Sequence, residues 1–164
     1  MTIREKYNIT DPEYYNCIKD LIETEVVQKM DKYIQHGNTS TLDHSISVSY
    51  LAYRIAKKFD LDYISVARAG LLHDFYLYDW HDIPKEKNLL KKHGFVHPLK
   101  AYENASKYFN LNDVEKDIII KHMWPLTLRS IPKYKESTLV SCVDKIVSSK
   151  ETFSPYLVEL KNMI

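Results

Sequence analysis

Six residues of the chain have side chains that commonly bind metal ions, and each lies beside or within an apolar helical pattern. These residues are His44, His73, Asp74, His97, His122 and Asp144. His44 precedes Val48 by one helical turn and His122 follows Ile118 by one turn, so each shares a face with an apolar residue. An ionised carboxylate at a core-facing position such as Asp144 is costly to bury unless it is paired or bound to metal. Imidazole nitrogens and carboxylate oxygens together suit Fe, Mn, Zn, Co or Ni.

Each of these residues also has an ordinary explanation when it is taken alone. A single histidine on an apolar face is usually a hydrogen-bonded core residue. Asp144 could pair with Lys145 or Lys121, and an adjacent pair such as His73-Asp74 often occurs by chance. Several such residues at core-facing positions on different helices favour a metal site over these separate explanations.

Hydrophobic periodicity and capping signals predict the helices that must position these residues. Asp11-Pro12 is typical of a helix N-cap followed by proline at the first helical position, and Asn112 with Glu115 resembles a capping box. The apolar spacing predicts helices over about 12–34, 41–59, 62–73, 98–109, 113–123, 135–150 and 153–163, with a short one near 85–92. The chain has three glycines and no convincing two-residue alternation, which predicts an all-α fold. We expect one helical-bundle domain over residues 1–164.

The composition excludes several function classes. The 23 basic residues nearly balance the 22 acidic ones, so a broad basic surface for nucleic acid is not expected. No apolar run approaches the roughly 18 residues of a membrane span. Cys17 and Cys142 are far apart and do not form a disulfide framework, and the first residues lack the apolar segment of a signal peptide. These features predict a cytoplasmic protein.

The order of the candidate ligands resembles that of the HD metal-dependent phosphohydrolase superfamily. The matching segments are Asp43-His44-Ser45, Leu71-Leu72-His73-Asp74 and Val143-Asp144-Lys145. Two further segments, His97-Pro98 and Ile120-Lys121-His122, are similar to those that carry the extra histidines of members with two metals. The resemblance covers about residues 40–150 and implies an all-α fold with the site between its helices.

The resemblance also implies roles for the six residues. A first metal ion would be bound by His44, His73, Asp74 and Asp144. A second would be bound by Asp74, His97 and His122, so that Asp74 bridges the two ions and takes part in catalysis. The implied activity is metal-dependent hydrolysis, by a metal-bound hydroxide, of a phosphate ester or anhydride in a small nucleotide-like substrate. The layout with two extra histidines is like that of the symmetrical dinucleoside-tetraphosphate hydrolases.

Four residues are candidates for binding the phosphorylated substrate: Trp80, Lys121, Arg129 and Lys145. Trp80 could stack on a base or pack in the core, and the three cations could contact phosphate or be solvated. The irregular segment 75–95 is expected to form a wall of the pocket and to set substrate choice. Two rival functions stay open on the sequence: a di-iron oxygenase with the same ligands, and a non-catalytic metal- or ligand-binding module in signalling.

Overall fold

The computed structural model describes residues 2–36, 38–78 and 93–162. Within these ranges, eight α-helices and one 3-10 helix accompany a two-stranded hairpin. The α-helices are α1 (Ile3–Lys6), α2 (Pro12–Ile22), α3 (Glu25–Gln28), α4 (Thr41–Lys58), α5 (Tyr63–Leu72), α6 (His93–Tyr108), α7 (Asp113–Lys121) and α8 (Lys135–Asn162). The 3-10 helix is Lys29–Lys32, and the antiparallel strands are β1 (Ile34–His36) and β2 (Thr39–Ser40). The prediction of an all-α fold is confirmed.

Side chains cap the N-termini of several helices, and these helices begin close to the residues that the sequence predicts. The Asp11 carboxylate accepts hydrogen bonds from the first turn of α2, and the Ser40 hydroxyl oxygen accepts one from the backbone of Asp43 in α4. At α7 the capping box is complete, because Asn112 and Glu115 each accept the backbone N–H of the other. Such caps satisfy N–H groups that have no partner within the helix.

Three predicted boundaries are wrong. The helix predicted over 12–34 ends at Ile22, because Thr24 caps a new helix through its hydroxyl, and the chain then continues into β1. Helix α6 begins at His93, so Pro98 lies inside it instead of opening it. The two helices predicted over 135–150 and 153–163 form the single helix α8. The short helix predicted near 85–92 lies outside the described residues.

The core lies where α4 packs against α5 and α8, and where α7 packs against α5, α6 and α8. Its fully buried side chains include Ile18, Leu21, Val48, Ala52, Val66, Leu71, Ile118, Ile119 and Val140. Gly70 lets α5 approach α4 closely, since a Cβ at this position would lie 2.8 Å from Ser49 Cα. This contact brings the C-terminal end of α5, with its His-Asp pair, against α4. Within the described ranges, every helix is too short or too polar to cross a lipid bilayer.

Candidate metal centre

The six candidate ligands lie together in the core and come from five different helices or helix ends. We call these residues the His-Asp cluster: His44, His73, Asp74, His97, His122 and Asp144. His44 belongs to the first turn of α4, and Asp144 to the middle of α8. His73 and His122 are the C-cap residues of α5 and α7. All six side chains are buried, with residue exposures between 0% and 7%.

The first ligand group consists of His44, His73 and Asp144, whose potential ligand atoms all lie within 4.8 Å of one another. The Nε2 atoms of His44 and His73 lie 3.1 and 3.6 Å from Asp144 Oδ1. Such separations leave two nitrogens and a carboxylate oxygen facing one point, as ligands to a common ion would.

The second ligand group, as predicted, consists of Asp74, His97 and His122 at the other end of the cluster. His73 also lies here, since its ligand atom and those of Asp74 and His122 are all within 4.8 Å of one another. Asp74 Oδ1 lies 3.1 Å from His97 Nε2 and 3.5 Å from His122 Nε2. The Oδ2 atom of the same carboxylate lies 3.3 Å from His73 Nε2 and 3.8 Å from His44 Nε2. The two oxygens of Asp74 therefore face the two ligand groups separately, which is the arrangement that a bridging carboxylate requires.

Backbone carbonyls fix the tautomers of two histidines. His73 Nδ1 lies 2.7 Å from the Gly70 carbonyl oxygen, and His122 Nδ1 lies 2.8 Å from that of Ile119. A carbonyl only accepts hydrogen bonds, so each Nδ1 carries a hydrogen, and Nε2 presents a lone pair when the ring is neutral. Metal-binding histidines usually donate their other ring N–H in this way.

The polar atoms of the cluster are arranged better for binding a cation than for forming hydrogen bonds with one another. Among the described residues, neither His73 Nε2 nor Asp74 Oδ1 has a hydrogen-bond partner, although both atoms are buried. The Nε2 atoms of His97 and His122 lie only 2.7 Å apart. Buried polar atoms without partners are costly, and a divalent transition metal would satisfy nitrogen and oxygen ligands together.

Electrostatics keeps the two carboxylates of the cluster ionised. Burial alone would raise the pKa of Asp74, but the charge of the neighbouring His73 and the close approach of His122 and His97 hold it well below its usual value. Burial likewise opposes ionisation of Asp144, but its hydrogen bond with His44 and the nearby charge of His73 hold its pKa well below its usual value. Burial acts to lower the pKa of His44, but its hydrogen bonds to carboxylates outweigh this effect and raise the pKa to about 9. The cluster therefore offers two anionic side chains to a cation.

Two further residues contact the cluster and were not identified from the sequence. Gln35, on β1, donates a hydrogen bond of 2.6 Å from Nε2 to Asp74 Oδ2, and its own carbonyl oxygen accepts the Tyr76 hydroxyl. Glu151 Oε2 lies 2.8 Å from His44 Nδ1. Glu151 follows Asp144 by seven residues, so both lie on one face of α8. A helix predicted to continue past residue 150 would have revealed this spacing.

The three predicted substrate-binding residues that the structure describes differ in their relation to the cluster. Lys145 is nearest, with Nζ 2.8 Å from the His122 carbonyl oxygen and 3.9 Å from Asp144 Oδ2. Lys121 instead forms an ion pair of 2.7 Å with Asp117, and Arg129 is exposed. Trp80 lies outside the described residues, as does most of segment 75–95. These four assignments stay predictions.

Comparison with known proteins gives a family and one relative. The family model described as "HD domain" matches residues 41–148, a range that contains the entire His-Asp cluster. A Bacillus subtilis (strain 168) protein named "Putative phosphohydrolase YueE" is 34% identical over 76 residues. That match covers 46% of this chain and 42% of the Bacillus protein, so it spans less than half of either. No solved structure matches the chain.

Proposed function

The chain belongs to the HD domain family, and on that premise we propose that it is a metal-dependent phosphohydrolase acting on a small nucleotide-like phosphate ester or anhydride. The observation that carries the proposal is that six buried side chains with potential nitrogen or oxygen metal ligands lie together. Two of their atoms, His73 Nε2 and Asp74 Oδ1, have no hydrogen-bond partner among the described residues. The name of the Bacillus relative supports the same class of activity.

The His-Asp cluster would bind two divalent ions, such as Fe, Mn, Ni, Co or Zn. His44, His73, Asp74 and Asp144 would bind the first ion, and Asp74, His97 and His122 the second. The orientation of the Asp74 carboxylate supports a bridging role, since Oδ1 faces one ligand group and Oδ2 the other. When bound, two such ions supply Lewis acidity that acidifies water and neutralises charge on phosphoryl oxygens.

The chain's own residues would orient these ligands. Backbone carbonyls direct the Nε2 atoms of His73 and His122 into the cluster. Gln35 restrains Asp74 through its amide, and the Tyr76 hydroxyl in turn restrains Gln35. Ligands oriented in advance need little reorganisation when charge develops on the substrate.

A nucleotide-like substrate is supported by aromatic rings beside the second ligand group. The Tyr76 ring centroid lies 5.8 Å from that of His97 and 5.1 Å from that of Tyr78. Tyr78 is half-buried, and tyrosine rings are among the side chains on which bases stack. We therefore place the base near Tyr78 and the phosphate near the two ions.

A phosphate-release screen tests this function. Protein loaded with Mn²⁺ would be incubated with mononucleotides, dinucleoside polyphosphates and simple phosphate esters, with Asp74→Ala as the inactive control. We expect release from at least one nucleotide by the wild type and none by the control. Metal binding without release from any compound would contradict the proposal and favour a non-catalytic module. Oxygen consumption by the iron-loaded protein, again without phosphate release, would favour the di-iron oxygenase.

A further inference from the structure

We propose that Glu151 is a positioning residue that orients the His44 imidazole toward the metal ions. The inference rests on the proposed metal centre and assigns a residue that lies beyond the family match, which ends at residue 148. Glu151 Oε2 lies 2.8 Å from His44 Nδ1, and the Glu151 side chain is only 13% exposed. This contact is therefore a largely desolvated pair and not a surface ion pair.

The acceptor at Nδ1 of His44 is of a different kind from the acceptors at Nδ1 of His73 and His122. His73 and His122 are C-cap residues, and each bonds the carbonyl three residues before it. His44 lies in the first turn of α4, where carbonyl oxygens accept the hydrogen bonds of the helix itself. It therefore takes its acceptor from another helix, and that acceptor is a carboxylate.

The length of α8 makes this contact possible. Asp144 and Glu151 are seven residues apart, close to two helical turns, and so lie on the same face. Asp144 Oδ1 is 3.1 Å from Nε2 of His44 while Glu151 reaches Nδ1, so one helix contacts both nitrogens of the ring. Between them, the Ser148 hydroxyl donates to Asp144 Oδ1 over 3.3 Å. The face of α8 that holds a proposed ligand therefore also holds the group that fixes its histidine partner.

A carboxylate acceptor makes histidine a stronger metal ligand than a carbonyl does. It fixes the tautomer with hydrogen on Nδ1 and increases the basicity of Nε2. Loss of such a partner typically costs about 10–100-fold in metal affinity or activity. We therefore expect removal of the Glu151 carboxylate to weaken the first ion site by this factor and to affect the second site much less.

The test compares Glu151→Ala and Glu151→Gln with the wild type. Glu103→Ala is the matched control, because Glu103 is a 62% exposed glutamate that pairs only with Lys100 among the described residues. Titration with Mn²⁺ measures the dissociation constants, and proton NMR of the Zn²⁺-loaded, histidine-labelled protein follows the hydrogen on His44 Nδ1. We expect a protected Nδ1–H in the wild type and about 10–100-fold weaker first-site binding with a lost or rapidly exchanging Nδ1–H in Glu151→Ala. Glu151→Gln should be intermediate, since its amide oxygen still accepts but carries no charge.

Unchanged metal affinity and an unchanged His44 resonance in both Glu151 variants would overturn the proposal. Equal weakening in Glu103→Ala would overturn it as well, because the effect would then not belong to this contact. Glu151→Gln preserves the shape of the side chain, so it tests the role even if Glu151→Ala does not fold. These readouts need no substrate, so a wild type that releases no phosphate contradicts the proposed function and leaves the role of Glu151 standing.

Discussion

Two polar clusters of this molecule differ in how their members are paired: the His-Asp cluster is buried, whereas in the second cluster the Asp20 side chain is exposed to solvent. In the Arg68 cluster (Asp20, Arg68 and Glu115), Arg68 Nε donates to Glu115 Oε1 over 2.8 Å and Nη1 to Asp20 Oδ1 over 2.6 Å. The remaining oxygen of Glu115 accepts the backbone N–H of Asn112. In the His-Asp cluster, by contrast, the Nε2 atoms of His97 and His122 lie 2.7 Å apart. The buried atoms His73 Nε2 and Asp74 Oδ1 have no hydrogen-bond partner among the described residues.

The difference indicates which of the two clusters could hold a metal ion. Arg68 donates hydrogen bonds to both carboxylates of its cluster and so links α2, α5 and α7, which stabilises the fold. The His-Asp cluster combines two carboxylates of low pKa with four histidine rings, and among the described residues Lys145 Nζ lies 3.9 Å from Asp144 Oδ2 at its edge. Substitutions in the Arg68 cluster should therefore lower stability and spare metal binding. Substitutions in the His-Asp cluster should abolish or weaken metal binding, and with it the stabilisation that bound metal provides.

The largest expected effect follows from removing the bridging carboxylate. Asp74→Ala should lose both ions and all hydrolysis, because each ion loses an anionic ligand. Elemental analysis of the purified variant and a phosphate-release assay measure the two losses. The matched control is Asp20→Ala in the Arg68 cluster, which should retain the wild-type metal content and rate. Full metal content in Asp74→Ala would show that the carboxylate does not bridge.

Substitution of one second-group histidine should have a smaller effect. His97→Ala or His122→Ala should bind about one ion per chain instead of two, since the first ligand group stays intact. Loss of one source of transition-state charge stabilisation typically lowers kcat by about 10²–10³-fold, and we expect a loss of this size. Metal titration and steady-state kinetics measure the two quantities. If the variant kept the wild-type stoichiometry and rate, the second ion site would be ruled out and the centre would hold one ion.

Metal should stabilise the folded chain, because the ligands come from α4–α8 and meet only in the folded state. Saturation at about 100 times the dissociation constant adds about 2.7 kcal/mol to the free energy of unfolding for each bound ion. For a chain of this size this corresponds to a rise of roughly 5–10 °C in Tm. Thermal unfolding with and without Mn²⁺ measures the shift, and Asp74→Ala should show none. An equal shift in that variant would indicate binding elsewhere.

The smallest effect is expected in the Arg68 cluster. Glu115→Ala removes both the partner of Arg68 and the side chain that completes the α7 capping box. Arg68 is 19% exposed and keeps Asp20, so we expect a loss of about 1–3 kcal/mol in the free energy of unfolding. Urea denaturation measures this loss, and metal stoichiometry should be unchanged. If Glu115→Ala lost its metal, the two clusters would not be independent.

The sequence predicted the parts of the fold and site that depend on local patterns. Caps such as Asp11 and Asn112 gave the starts of α2 and α7, and the apolar spacing around His44 and His122 placed both residues in the core. The end of α2 was missed because Thr24 competes with the backbone of a continuing helix. Gln35 and Glu151 were missed because each acts on a residue far along the chain, Asp74 and His44 respectively. No local spacing encodes such contacts until the paths of β1 and α8 are known.

Anomalous diffraction from crystals of the Mn²⁺-loaded protein tests the central claim most directly. We predict two manganese peaks separated by about 3.5–4 Å. One peak should lie against His44, His73 and Asp144, the other should lie against His97 and His122, and Asp74 should contact both. No peak within the His-Asp cluster, or two peaks without Asp74 between them, would contradict the account.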